Sequence, residues 1–328
     1  MKNGQLLEVE NLYTRFYTEY GVVRAVDGVS LRVGRGDSLG IVGESGSGKT
    51  VTAMSIMRLI ENPGRIEAGR ILLYGDNLLD KTEREMNSIR GGEIAMVFQD
   101  SLSSLNPTLT VGEQIERVLR YHTTLDRAAL RTRAVELLEL VGIPEPQRRA
   151  EGYPHEFSGG MRQRALIAMA ISSDPALLIL DEPTTALDVT IEAQIFELIE
   201  GLMQEIDMGI ILITHDLSVV ANSCSRVAVM YSGRVVEYGR LEEVFERQLH
   251  PYTRGLVASI PRLERKEGEL YSISGEVPDL INLPPGCNFA PRCGYAVDAC
   301  SRTDPALREL YPGHTAACIR AEEIRHDE

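Results

Sequence analysis

The stretch Gly43-Glu44-Ser45-Gly46-Ser47-Gly48-Lys49-Thr50 narrows what this chain can fold into more than any other. It fits G-x-x-x-x-G-K-[ST] at every fixed position, the pattern of a loop that cradles phosphates. Apolar Leu39-Gly40-Ile41-Val42 precedes it and reads as a buried strand; residues 51–60, without Gly or Pro, read as a helix. Strand, glycine loop and helix form the context the motif needs. The glycines let backbone N–H groups turn inward toward phosphate oxygens, and the helix presents its positive N-terminal end to the same oxygens. Lys49 is expected to reach the β- and γ-phosphates, and the Thr50 hydroxyl to bind Mg²⁺.

The charge balance excludes some partners. At 328 residues and a net charge of −14, the chain is one large domain or two modest ones. Its acidity argues against broad, nonspecific binding to nucleic acid or an anionic membrane, and a local basic pocket for a nucleotide remains compatible with it. No apolar run approaches the roughly 20 residues that span a bilayer. Residues 1–10 lack the apolar core of a secretion signal, so a cytoplasmic protein is expected. Four of the five cysteines fall in the last 42 residues. In a reducing compartment that clustering points to metal before disulfide.

Residues 6–33 alternate loosely between apolar and polar and predict antiparallel strands, with Phe16, Tyr17 and Tyr20 on the connecting turn. One of these rings could stack on an adenine, and ordinary packing is the plainer alternative. Residues 70–74 and 94–98 read as further strands, the latter ending at Gln99. A polar residue at such a strand end sits where α/β folds bind ligands. The Ser-, Asn- and Pro-rich run 101–107 is a loop. From 109 to 141 the pattern is helical, with an apolar stripe at Leu130, Ala134, Leu137, Leu138 and Val141.

Phe157-Ser158-Gly159-Gly160-Met161-Arg162-Gln163 then opens an apolar helix. Ser158 is a good N-cap, and the two glycines leave the helix N-terminus uncovered, either a second anion site or only a capped helix. The apolar run 176–180 ends in Asp181-Glu182. A buried parallel strand that delivers two carboxylates at its C-terminal end suits nucleotide chemistry. Asp181 would hold Mg²⁺, and Glu182 would orient and polarise the attacking water. A helix follows Ala186-Leu187-Asp188, and the strand at 210–213 ends at Thr214-His215, where His215 could donate to the γ-phosphate. Residues 226–230 and 234–238 flank Ser232-Gly233 as a hairpin. Beyond about residue 250 prolines recur and helical periodicity fades, so a loop-rich extension is expected.

The phosphate loop, Gln99, the Ser158-Gly159-Gly160-Met161-Arg162-Gln163 signature, Asp181-Glu182, Asp188 and His215 stand in that order along the chain. This order resembles the ATP-binding subunits of ABC transporters. His250-Pro251-Tyr252-Thr253, Leu283-Pro284-Pro285-Gly286-Cys287 and Pro291-Arg292-Cys293 are similar to the C-terminal extension of oligopeptide/dipeptide importer ATPases. The resemblance implies an α/β P-loop ABC-type nucleotide-binding domain at 1–249. That domain would have a RecA-like core, an antiparallel β subdomain and an α-helical subdomain at about 105–172. A small loop-rich, cysteine-containing extension would follow at 250–328. It also implies that Phe16 stacks on adenine and that Gln99 senses Mg²⁺ and the membrane subunits. Ser158, Gly159, Gly160 and Gln163 would bind the ATP held by the opposite subunit, Asp188 would lie at the subunit interface, and His215 would switch with the γ-phosphate. The implied partners are two transmembrane permease subunits, a second ATPase subunit (a related chain or a second copy) and an extracytoplasmic solute-binding protein, with no nucleic acid. The implied place is the cytoplasmic face of the membrane. The alternatives are importers of nickel or glutathione, and a soluble ABC-type ATPase that remodels ribosomes or DNA.

Cys287, Cys293, Cys300 and Cys318 have spacings C-x₅-C-x₆-C-x₁₇-C. Four thiolates suit a [4Fe–4S] cluster or zinc. The absence of a close C-x₂₋₄-C pair favours the cluster, as does the resemblance, since some peptide-importer ATPases carry one at such a cysteine set. Zinc and unligated thiols stay open as alternatives. Cys224 reads as a packing residue, and His314 as a dispensable substitute ligand.

Overall fold

The computed structural model describes residues 5–99, 104–184, 188–205, 207–260 and 272–324. Its strands, in chain order, are β1 (Gln5–Thr18), β2 (Gly21–Gly34), β3 (Ser38–Val42), β4 (Gly64–Leu73), β5 (Asp76–Asn77) and β6 (Ile94–Val97), followed by β7 (Leu177–Asp181), β8 (Gly209–Thr214), β9 (Arg226–Tyr231), β10 (Arg234–Arg240), β11 (Arg308–Tyr311) and β12 (His314–Ala316). The contacts gather into two compact units, residues 1–6, 33–37 and 80–212 in one, and 7–32, 38–79 and 213–328 in the other.

In the first unit β6 and β7 pair in parallel, from Ile94 opposite Leu177 to Val97 opposite Leu180, and β8 lies beside β7. Every residue of β7 is buried, as a continuous apolar run in a parallel sheet requires. The helical stretch is two helices, Val111–His122 and Arg127–Leu140, each opened by a side-chain cap, Thr110 and Asp126. The predicted stripe is the buried face: Leu130, Ala134, Leu137, Leu138 and Val141 are all at most 2% exposed. Burying each leucine there stabilises the unit by about 1.5–3 kcal/mol. Helices Glu83–Ile89, Pro146–Ala150, Gly159–Ile171 and Val189–Glu205 also belong to this unit.

In the second unit one sheet has the order β2-β1-β4-β5, and a second run has the order β11-β12-β10-β9-β3. β3 pairs in parallel with β9, and all five of its residues are buried. The β9–β10 hairpin turns at Ser232 and Gly233, with φ of +46° and +80°, the positive pair a tight right-twisted hairpin needs.

Three local expectations change. β1 runs through Thr18, so Phe16 and Tyr17 are strand residues, and only Tyr20 belongs to the turn. The helix after the phosphate loop ends at Ile56, because Arg58 takes φ +52° and leaves helical backbone. The extension is less loop-rich than its prolines suggested. Helix Pro251–Ser259 begins it, and β11 and β12 add a hairpin to the edge of β10 through Glu237 opposite Ala316 and Tyr238 opposite Thr315. Strands of four and three residues are too short to show alternation in sequence. Among the described residues, no helix is long and apolar enough to cross a membrane.

Candidate functional site

The phosphate loop lies in the second unit, between β3 and helix Lys49–Ile56. Gly48 takes φ +99°, and a Cβ there would collide with the Ala25 carbonyl oxygen, so both conformation and space demand glycine. Gly46 takes φ +77° with nothing within 4 Å of where a Cβ would stand, so there conformation alone favours glycine. Lys49 is 5% exposed. Its Nζ donates to the Gly43 oxygen at 2.8 Å and the Glu44 oxygen at 3.0 Å, which folds the ammonium back over the loop. The Gly233 N–H donates to the Ser47 oxygen at 2.9 Å and fixes the loop on the β9–β10 turn. Thr50 is half-buried. His215, just past β8, is exposed, and Asp216 beside it caps helix Leu217–Ser223.

The carboxylates lie in the first unit. Asp181 ends β7 and is 1% exposed. Glu182 follows with φ +46°, a left-handed backbone rare outside glycine. Strain of this kind costs on the order of 1–3 kcal/mol and collects at functional sites. It turns the Glu182 side chain to accept from Gln99, Nε2 to Oε2 at 2.8 Å. So the two residues that sequence placed at the ends of separate strands, β6 and β7, meet directly. Pattern reading could not supply the left-handed backbone at Glu182.

Ser158 caps helix Gly159–Ile171 by accepting from the Met161 N–H at 3.3 Å, and Ser158 itself is exposed. A Cβ on Gly160 would stand 2.6 Å from Ile191 Cγ2, so the helix start is pressed against helix Val189–Glu205. Gln163 is 1% exposed, and its Nε2 has no hydrogen-bond partner among the described residues. The Asp188 carbonyl accepts from the Glu192 N–H and so begins that second helix. Ala186 and Leu187, and residues 101–103 of the loop after Gln99, lie outside the described residues. Of the aromatics near β1, Phe16 is half-buried opposite Gly64, Tyr17 donates its hydroxyl to Glu67, and Tyr20 is 88% exposed.

Two residues that the sequence marked only as parts of tail motifs reach the phosphate loop. Tyr252 Oη accepts from the Glu44 N–H at 2.9 Å, and Arg292 grips both Glu44 carboxylate oxygens. His250 is fully buried; burial pushes its pKa down to about 3, and as a neutral ring it accepts from the Tyr252 N–H to cap helix Pro251–Ser259. His314, which the sequence offers as a substitute ligand, is buried and bonded through Nε2 to Glu237, whose carboxylate also accepts from the Leu249 and His250 N–H groups.

The four tail cysteines carry no disulfide. Burial raises the thiols of Cys287, Cys293 and Cys318, the last to about 11, and the charge of Cys300 adds to each. Cys318 feels Cys287 and Cys293 as well, so the four sulfurs lie within electrostatic reach of one another. Neighbouring backbone N–H groups, of Phe289 and Ala290 at Cys287, Tyr295 at Cys293 and Arg320 at Cys318, pull in the opposite direction. Among the described residues, however, no three His, Cys, Asp or Glu side chains stand close enough to hold a metal ion. The expected metal centre therefore has its donors in one region without a closed site.

Two family descriptions match the chain: "ABC transporter" over residues 26–185 and "Oligopeptide/dipeptide transporter, C-terminal region" over 236–300. It is 50% identical to the probable peptide ABC transporter ATP-binding protein y4tR of Sinorhizobium fredii, over 98% of this chain and 97% of that one. It is 53% identical to the oligopeptide transport ATP-binding protein OppD of Bacillus subtilis, over 94% and 87%. Among solved structures, it is similar to the ATP-binding cassette MJ0796 in a dimeric, post-hydrolysis state bound to ADP and Pi. That match has a TM-score of 0.65 and 27% identity, and covers 72% of this chain and 99% of that one.

Proposed function

This chain belongs to the ATP-binding subunits of ABC transporters that carry the oligopeptide/dipeptide C-terminal region, and on that premise we propose that it hydrolyses ATP to drive import of di- or oligopeptides. The observation that carries the catalytic part is the Gln99–Glu182 hydrogen bond beside a strained Glu182 backbone. It holds a carboxylate in one orientation, as a group that positions and deprotonates water must be held. Family membership supports the remaining roles. Residues Gly43 to Thr50 bind the phosphates, Phe16 stacks on adenine, and His215 contacts the γ-phosphate. Ser158, Gly159, Gly160 and Gln163 serve the ATP of the opposite subunit, with Asp188 at that interface. Thr50, Gln99 and Asp181 offer hydroxyl, amide and carboxylate oxygens, the hard donors Mg²⁺ prefers. Held by these residues, Mg²⁺ would neutralise charge on the phosphates.

The energetic argument is differential binding. ATP favours a closed pair of subunits and ADP does not, so hydrolysis shifts a two-state equilibrium that membrane partners can follow. Those partners are two permease subunits, with a solute-binding protein outside, and they hold this chain at the cytoplasmic face. Co-purification from native membrane, with identification of the other chains, tests this. We expect permease subunits, a second ATPase subunit and uptake of labelled dipeptide that depends on this chain. Recovery with ribosomes or DNA and no permease overturns the reading, and uptake of nickel or glutathione in place of peptide corrects its substrate.

We also propose that the four tail cysteines hold a [4Fe–4S] cluster. What supports this is the donor set, four free cysteines in the extension, the number and kind of ligand such a cluster takes, although the described side chains do not form a closed site. A cluster spreads its ligands further apart than one ion does. Bound there, it would cross-link separate segments of the extension. Protein prepared without oxygen should be brown, with absorbance near about 400 nm. Colourless anaerobic protein overturns the cluster, and zinc on elemental analysis would then name the alternative.

A further inference from the structure

We propose that Arg292 is a positioning residue for the phosphate loop: it clamps Glu44 and so fixes the loop's first turn in the form that receives the nucleotide phosphates. The proposal rests on the ATPase reading above and adds a part of the machinery that lies some 240 residues downstream of the motif.

The clamp has two jaws, both in the second unit. Tyr252, on helix Pro251–Ser259, accepts the Glu44 N–H at 2.9 Å. Arg292, between Cys287 and Cys293, takes the Glu44 carboxylate with both terminal nitrogens, at 2.6 and 3.0 Å. The rest of the guanidinium is equally engaged. Nε donates to the Ser274 oxygen at 3.0 Å, Nη2 to the Ile273 oxygen at 3.2 Å and Nη1 to Tyr231 Oη at 3.4 Å. All five N–H donors of the arginine therefore have acceptors. Its side chain is 4% exposed, against 30% for Glu44.

The seat beneath is aromatic. The guanidinium carbon lies 5.8 Å from the Tyr231 ring centre and 6.0 Å from that of Phe289. Tyr252 packs on both rings at 4.7 and 5.4 Å. Surface ion pairs contribute little because water competes and the side chains wander. Here neither holds, since the arginine is desolvated, forked and pinned by backbone carbonyls before it meets the carboxylate.

Two consequences follow for the loop. The Glu44 N–H is committed to Tyr252, so the donors that face phosphate begin after residue 44. The Glu44 carboxylate is held to the tail by Arg292, which fixes the side chain of the loop's first variable residue as Tyr252 fixes its backbone. The integrity of the cysteine-bearing extension thereby becomes a condition of nucleotide binding.

The test compares R292A, R292K, E44Q and Y252F with the full-length wild type by ATP calorimetry and steady-state hydrolysis. Loss of a charge-assisted pair should raise Kd and KM for ATP about tenfold in R292A and in E44Q. In R292A kcat should change by less than about threefold, because the clamp sets binding geometry and does not touch the reacting atoms. R292K should fall between, since a lysine keeps the charge and loses the fork. The double variant E44Q/R292A should bind no worse than R292A, because both remove the same interaction. Where R292A fails to fold, E44Q on the more exposed side of the pair and Y252F on the other jaw decide the matter. Folded E44Q and Y252F that bind ATP like the wild type, or fully additive losses in the double variant, overturn the proposal. A wild type that binds no ATP overturns the ATPase reading instead.

Discussion

Glu182→Gln is expected to keep ATP binding and to lower hydrolysis by about 10²–10⁴-fold, the usual cost of losing a positioned base. The substitution keeps the size and planarity of the side chain. Its amide oxygen can still accept from Gln99 Nε2, so the bond that holds the carboxylate at 2.8 Å has a counterpart in the variant. The backbone at φ +46° bears no more strain with glutamine than with glutamate. What disappears is the capacity to take a proton from water. Lys49→Ala should instead weaken nucleotide binding itself. The Lys49 ammonium is 5% exposed and already gathered over the loop by the Gly43 and Glu44 carbonyls, so its removal takes away positive charge where phosphate must bind. Calorimetry and phosphate release on the two variants separate the roles: the first binds without turnover, the second barely binds. Turnover of Glu182→Gln within about threefold of wild type would remove Glu182 from the role of base.

The legible parts of this protein are those with a short-range signature. The loop at 43–50 announced itself because glycine spacing, lysine and flanking periodicity agree. β7 was visible as an uninterrupted apolar run closed by two acids, and the stripe from Leu130 to Val141 by its helical spacing. Hidden from sequence were features fixed by backbone conformation or by long-range contacts. Residue type gives no sign that Glu182 adopts a left-handed turn, or that Arg58 cuts a helix short. Arg292 and Tyr252 stood in motifs that marked a family and carried no chemistry until the fold brought both onto Glu44. The β11–β12 hairpin is too short to show alternation, and its place is set by pairing with β10.

ATP should join two ATPase subunits when hydrolysis is blocked, and this is the second large effect. The Ser158 hydroxyl caps its helix and is itself exposed, and Gly159 and Gly160 put no side chain over the positive end of the helix dipole. In the proposed mechanism that anion is the γ-phosphate held by the facing subunit, so nucleotide is the link between the two. Ser158→Arg places a long side chain over that end, blocks the approach and leaves the residues at 43–50 untouched. The direct measurement is the mass of the Glu182→Gln protein with its partner ATPase subunit, by size-exclusion with light scattering, with and without Mg²⁺-ATP. The account predicts separate subunits without nucleotide, a pair with ATP, and no pair for Glu182→Gln/Ser158→Arg even though each subunit still binds ATP. A mass that does not change with nucleotide, or a Ser158→Arg variant that pairs as readily as its parent, would contradict it.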